Sequence, residues 1–225
     1  MKEYGIELMR GHVLIVDDRG SKVLIDTGSP LSFHAGGVIE LDGETVKVPT
    51  TLLVADSAYV TENVGTKVDG LVGMDILERK GVLVDVPGRR VVVGQPTEGM
   101  TRVPSRFLRM PLLGGGYMSI EMDIRGQRVK VILDTGAPVS YVNPSLTEGL
   151  TAVETVTDFT PGVGTFETQV FEFPAAFEGQ AFEMRAGHLP GSKQWEVDLL
   201  GMQGVVGMEL LKRRPILIAE GSVWI

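Results

Sequence analysis

The 225-residue chain contains no cysteine. That absence excludes disulfides, a thiol nucleophile and thiolate metal sites, and it suits a reducing cytosol, the compartment expected here. No apolar run approaches the roughly 20 residues a membrane helix needs, so no membrane association is expected. Met1-Lys2-Glu3-Tyr4-Gly5 lacks the apolar core and small-residue site of a signal peptide. Neither a leader nor a removable basic propiece is therefore expected. Positive charge is also short: a net charge of −8 argues against nucleic acid or an anionic membrane as the main partner. His12, His34 and His188 show no metal-ligand spacing, so each is expected to be solvated or hydrogen-bonded, and no metal or cofactor is expected. Gly114-Gly115-Gly116 lacks the Lys-Ser/Thr that would make it a phosphate loop.

What is present describes a turn-rich β protein. Apolar residues make up 43% and charged residues 22%, and 29 glycines and 12 prolines accompany abundant valine. The length allows one large domain or two of about 100 residues.

One stretch organises the rest. Val23-Leu24-Ile25-Asp26-Thr27-Gly28-Ser29-Pro30 is an apolar strand that delivers a carboxylate into a tight turn, and Val131-Ile132-Leu133-Asp134-Thr135-Gly136-Ala137-Pro138 says it again. The two aspartates lie 108 positions apart, near half the chain length. Each copy runs on into apolar-Ser-aromatic and, later, a second anchor. Gly70-Leu71-Val72-Gly73-Met74-Asp75 in the first half is answered by Gly204-Val205-Val206-Gly207-Met208-Glu209 in the second. One Asp-Thr-Gly is weak; two, each followed by the same second anchor, indicate an internal duplication.

The remaining pattern reads in order. Residues 7–25 predict two strands joined at Asp17-Asp18-Arg19-Gly20. Val38 to Val48 predicts a hairpin with Asp42-Gly43 at its tip, and Thr51 to Val54 another strand. Each second anchor predicts a strand breaking at glycine into a short helix, then a closing hairpin (Val82 to Val86 with Val91 to Val93 in the first half). Gln95 to Arg106 is the candidate linker. It divides the chain into a lobe at 1–104 and a lobe at 105–225. Tyr117 to Ile124 and Gln127 to Leu133 predict the hairpin leading into Asp134. Met74 and Met208 are expected in the core, and Trp195 and Trp224 in core or interface.

The two anchors resemble those of the aspartic peptidase superfamily, whose members include pepsin-like and retroviral-type enzymes. The chain is similar to two retroviral-type halves fused head to tail. The resemblance implies an all-β, bilobal, pseudo-twofold molecule, each lobe a small closed β-barrel with one short helix. It implies a catalytic dyad of Asp26 and Asp134, supported by the turns Thr27, Gly28, Ser29 and Thr135, Gly136, Ala137. Thr27 and Thr135 would hydrogen-bond across the pseudo-twofold, and Gly28 and Gly136 would let backbone N–H groups face the carboxylates. Gly162, Val163 and Gly164 resemble a flap tip, and the first half offers no equally good counterpart. The implied activity is endopeptidase action on an extended peptide or protein substrate, complete within one monomer.

The chemistry fits those residues. Two carboxylates about 3 Å apart cannot both ionise cheaply and hold one proton between them. The charged member can take a proton from an attacking water while the protonated member donates to the carbonyl oxygen. A Ser29 hydroxyl donating to its neighbour would make Asp26 the more often ionised member, because Ala137 offers no such donor. Two rivals stand beside this reading: a catalytically inactive peptide-binding module on the same fold, and a scaffold of two obligate interaction domains.

Overall fold

A computed structural model describes residues 2–53, 55–110 and 114–225. The first half runs β1 (Lys2–Gly5), β2 (Glu7–Met9), β3 (His12–Val16), β4 (Lys22–Ile25), β5 (Phe33–His34), β6 (Val38–Leu41), β7 (Glu44–Lys47), α1 (Ser57–Val64), β8 (Gly70–Val72), α2 (Met74–Lys80), β9 (Val82–Asp85) and β10 (Arg90–Val93). The second half begins β11 (Arg102–Val103), β12 (Ser105–Met110), β13 (Gly115–Ile124), β14 (Gln127–Leu133), β15 (Ser140–Val142), a 3-10 turn at Pro144–Thr147, β16 (Glu154–Thr160) and β17 (Gly164–Phe177). It ends β18 (Gln180–Gly187), α3 (Gly191–Leu199), β19 (Gly204–Val206), α4 (Met208–Leu211), β20 (Ile216–Ala219) and β21 (Ser222–Trp224).

The halves build the same strand order. In the first, β2-β3-β4-β8-β5 are neighbours; in the second, β12-β13-β14-β19-β15 are. The second half extends this row through β18 and β17, and β17 pairs back onto β13, which closes a ring of six strands. The first half pairs as an open five-stranded sheet with the separate β6–β7 hairpin. Ring closure is thus a property of the second half, and each half carries two α-helices instead of the expected one.

A six-stranded sheet, β1-β10-β9-β20-β21-β11, takes strands from both halves. At its centre Leu83 faces Leu217, each ten residues past its own second-anchor glycine, so the pseudo-twofold passes between equivalent residues. Val82, Val84, Ile216 and Ile218 around that pair are buried, as are Met74 and Met208. One apolar cluster therefore draws on both halves.

Several local expectations are corrected. Residues 7–25 form three strands, because Arg10 and Gly11 both take positive φ (50° and 84°) and turn the chain between β2 and β3. The strand expected at Thr51 to Val54 is a turn with one isolated bridge, Leu52 to Ala55, and Val54 lies outside the described residues. Within the candidate linker, Arg102–Val103 forms β11 and pairs with β21. Helices α1 and α3 were not anticipated. For α1 the signals exist: the Asp56 side chain accepts from Tyr59 N–H at 2.8 Å and Gly65 caps the end at φ 81°. Trp195 is no core residue; it is 62% exposed on α3. Among the described residues no helix is long and apolar enough to cross a membrane.

Because the halves share one sheet and one apolar cluster, denaturant should unfold them in a single transition. Ile218→Ala is expected to lower unfolding free energy by about 2–5 kcal/mol while keeping one transition. Two separated transitions, read by fluorescence and circular dichroism, would contradict the shared sheet.

Candidate active site

Each aspartate sits where a strand ends and is fixed by the second anchor of its own half. β4 pairs in parallel with β8 and β14 with β19. The Asp26 N–H donates to Val72 O at 3.0 Å, and the Asp134 N–H to Val206 O at 2.9 Å. The repeated serines lock the two anchors together: Ser32 Oγ accepts from Gly73 N–H at 2.8 Å and Ser140 Oγ from Gly207 N–H at 3.0 Å. Both serines are fully buried. Their recurrence in apolar-Ser-aromatic was visible in the sequence; their partners were not.

Across the seam the turns hold each other. Thr27 N–H donates to Thr135 Oγ1 at 3.0 Å, and Thr135 N–H donates to Thr27 Oγ1 at 2.9 Å. Each hydroxyl then donates to a backbone carbonyl of the opposite half, Thr27 Oγ1 to Leu133 O and Thr135 Oγ1 to Ile25 O, both at 2.7 Å. Neither threonine has any exposed surface. All four groups are satisfied by one another, so the seam tolerates burial of its polar atoms.

This clasp brings the carboxyls of Asp26 and Asp134 within hydrogen-bonding reach. Gly28 N–H donates to Asp26 Oδ1 at 2.9 Å and Gly136 N–H to Asp134 Oδ1 at 2.8 Å. Glycine is required for a second reason. A Cβ on Gly136 would lie 2.6 Å from the Asp26 carboxyl carbon, and one on Gly28 would fall on the Asp134 carboxyl. Burial pushes the Asp26 pKa well above the ordinary 3.8, and the charge of Asp134 pushes it further. Asp134 is also raised by burial, but the Gly136 N–H and a hydrogen bond from Asp26 oppose the rise. Both carboxyls are raised, and the pair titrates as one. The stabilising donor expected from Ser29 is not there. Its hydroxyl donates to Leu31 O at 2.8 Å and does not stabilise the Asp26 charge. Ala137 is buried in the second turn, where its carbonyl accepts from Met208 N–H at 3.1 Å.

The dyad lies in a cleft of about 700 Å³ lined from both halves. Leu24, Phe33, Val60 and Leu71 belong to the first wall; Ile132, Tyr141, Val197 and Val205 belong to the second. The β16–β17 hairpin borders it; Gly162, Val163 and Gly164 form the hairpin's tip, both glycines at positive φ (85° and 93°), and do not themselves line the cleft. Asp158, Phe159, Thr160 and Pro161 line the cleft from this hairpin. The Tyr141 hydroxyl donates to Asp158, and Phe159 lies against His12 and Tyr59 of the opposite half, with ring centroids 5.7 and 5.9 Å away. The first-half hairpin at Asp42-Gly43 does not line the cleft. Its turn is tied instead to Tyr4 and Asp18.

His12, Tyr59, Tyr141 and Asp158 were not read as cleft residues, and no local pattern marks them. His12, expected to be solvated or hydrogen-bonded, is 2% exposed; the Gly136 backbone partners its ring, and among the described residues its Nδ1 has no partner. Burial also pushes the Tyr117 hydroxyl in the cleft up to about 12. Among the described residues no group of three or more His, Asp or Glu converges as a metal-ligand set.

No protein-family model matches the chain, and no curated protein matches it. Solved structures similar to parts of it include the Simian Foamy Virus (mac) protease, at 17% identity and TM-score 0.30 over 40% of this chain and 86% of that one. A retropepsin-like aspartic protease from Rickettsia conorii is similar at 15% identity and TM-score 0.38, over 57% of this chain and 100% of that one.

Thr27→Val keeps the side-chain shape but strands Leu133 O and Thr135 N–H. It is expected to cost about 2–4 kcal/mol in denaturant unfolding, with Thr27→Ser recovering most of it. Equal stability of parent and Thr27→Val would remove the clasp from the account. A carboxyl whose pKa is raised by folding binds its proton more tightly in the folded state. Stability therefore falls as pH rises from 3.8 through the raised value. Thermal unfolding of the parent should lose ground against the Asp26→Asn/Asp134→Asn double variant as pH rises above about 4. Parallel Tm curves would contradict the raised pair.

Proposed function

We propose that the chain is an aspartic endopeptidase that hydrolyses an extended peptide through a water held between Asp26 and Asp134. The observation that carries this reading is the pair of carboxyls from one chain, pressed together at the floor of a two-walled cleft by the reciprocal Thr27–Thr135 bonds. The ionised member of the pair takes a proton from the water as the water oxygen attacks the scissile carbonyl carbon. The protonated member donates to the carbonyl oxygen, and the amine leaves after receiving a proton from the dyad. Thr27, Thr135 and the N–H groups of Gly28 and Gly136 hold the carboxyls in place. The β16–β17 hairpin is the flap, and it comes from the second half alone. With both carboxyls on one chain, a monomer is sufficient.

A diverse peptide library offered to the parent, Asp26→Asn and Asp134→Asn, and read by mass spectrometry, tests this. Cleavage is expected from the parent and is expected to fall at least about 100-fold in either variant. Equal cleavage by all three would end the peptidase reading. Peptide binding without cleavage by the parent would favour a binding module on the same fold.

A further inference from the structure

Among the described residues, two buried polar atoms of cleft-lining side chains have no partner. They are Nδ1 of His12 and the hydroxyl oxygen of Tyr59. Both residues line the first-half side of the cleft, and Phe159 of the hairpin lies against both rings. A buried donor or acceptor left unsatisfied costs about 1–3 kcal/mol, so two in one corner of a ligand cleft need an explanation. The fold works to place one of them. Gly11, at φ 84°, packs against Pro138 of the second turn, which sets His12 beside Gly136. The Gly136 backbone is a hydrogen-bond partner of the His12 ring. Burial lowers the imidazole pKa, and in the neutral tautomer whose other nitrogen donates to the Gly136 carbonyl, Nδ1 is an acceptor. Tyr59 carries a hydroxyl that can donate.

We propose that His12 and Tyr59 form a polar subsite in this cleft that takes a carboxamide side chain, asparagine or glutamine, of the bound peptide. The side-chain NH2 donates to His12 Nδ1 and its carbonyl accepts from the Tyr59 hydroxyl. Phe159 fills the space beside both atoms until the hairpin lifts. Leu24, Phe33 and Val60 supply apolar wall on the same half, and the carboxyl of Asp158, which also acts on His12, is engaged by the Tyr141 hydroxyl, so the two unpartnered atoms are the selective element. A site built to hydrogen-bond a side chain rejects an isostere that cannot, because its own polar groups then stay unpaired. This inference deepens the proposed function and rests on the cleft binding peptide.

The test uses the full-length Asp26→Asn protein, so that binding is read without turnover. Peptides that differ only by Asn or Leu at each successive position are titrated by calorimetry. At one position Asn is expected to bind about tenfold tighter than Leu. Adding Tyr59→Phe, which deletes only an unpartnered oxygen, or His12→Phe is expected to bring that ratio close to one, with the Leu peptide still bound. A ratio near one at every position, a ratio unmoved by both substitutions, or no binding of any peptide would each overturn the subsite. Parallel incubation of the same peptides with the parent separates the two ideas. Discrimination without cleavage keeps the subsite and removes the hydrolase, whereas cleavage without discrimination does the reverse.

Discussion

The molecule depends on one reciprocal contact: two threonines, each accepting the other's backbone N–H and each donating to a carbonyl of the opposite half. Four hydrogen bonds, all buried, join two turns that would otherwise present unpaired polar groups to an apolar seam. Once they are made, the carboxyls before the threonines have nowhere to go but toward each other. The glycines after them keep that approach open, since a Cβ at either would occupy the opposite carboxyl. The shared sheet does the same work at the far end of the axis, where Leu83 meets Leu217. A seam fixed at both ends makes the spacing of the dyad a property of the fold, independent of what fills the cleft.

Symmetry stops at the cleft roof. The halves agree in strand order and in both anchors, but among the described residues the second half alone has a long hairpin that lines the cleft. The corresponding length of the first half is a short hairpin tied to Tyr4 and Asp18, followed by α1. That asymmetry reaches the chemistry. Asp158, held by Tyr141, places a negative charge near Asp134, and Phe159 covers the unpartnered atoms of His12 and Tyr59. A pseudo-symmetric pair of carboxyls thus sits between two unlike walls, an arrangement that suits the directional peptide of the proposed reaction.

How much of this was legible depended on whether the information was local. The strands into Asp26 and Asp134, the glycine breaks at Gly73 and Gly207 and the hairpins at Asp42-Gly43 and Gly162 to Gly164 were readable, because turn chemistry and apolar runs are set by neighbours in sequence. The repeat itself supplied the one long-range statement, that two Asp-Thr-Gly turns meet. What it could not supply was side-chain partnership. Ser29 looked like a donor to Asp26, yet its hydroxyl turns to Leu31 O. Nothing in the neighbourhood of His12 or Tyr59 announces a cleft residue, since their meeting with Phe159 spans residues from 12 to 159. Helix α1 escaped notice for another reason: eight residues with only two buried side chains carry a faint period, and only its caps, Asp56 and Gly65, speak for it.

The most direct test of the central claim is the titration of the two carboxyl carbons by NMR in selectively labelled protein, with Asp26 and Asp134 assigned by substitution. Coupling through the Thr27–Thr135 clasp predicts that the pair keeps one proton well above the pH at which free aspartate ionises, and that both resonances respond to each step. Two independent titrations near 3.8, each blind to the other, would show that the carboxyls do not share a site.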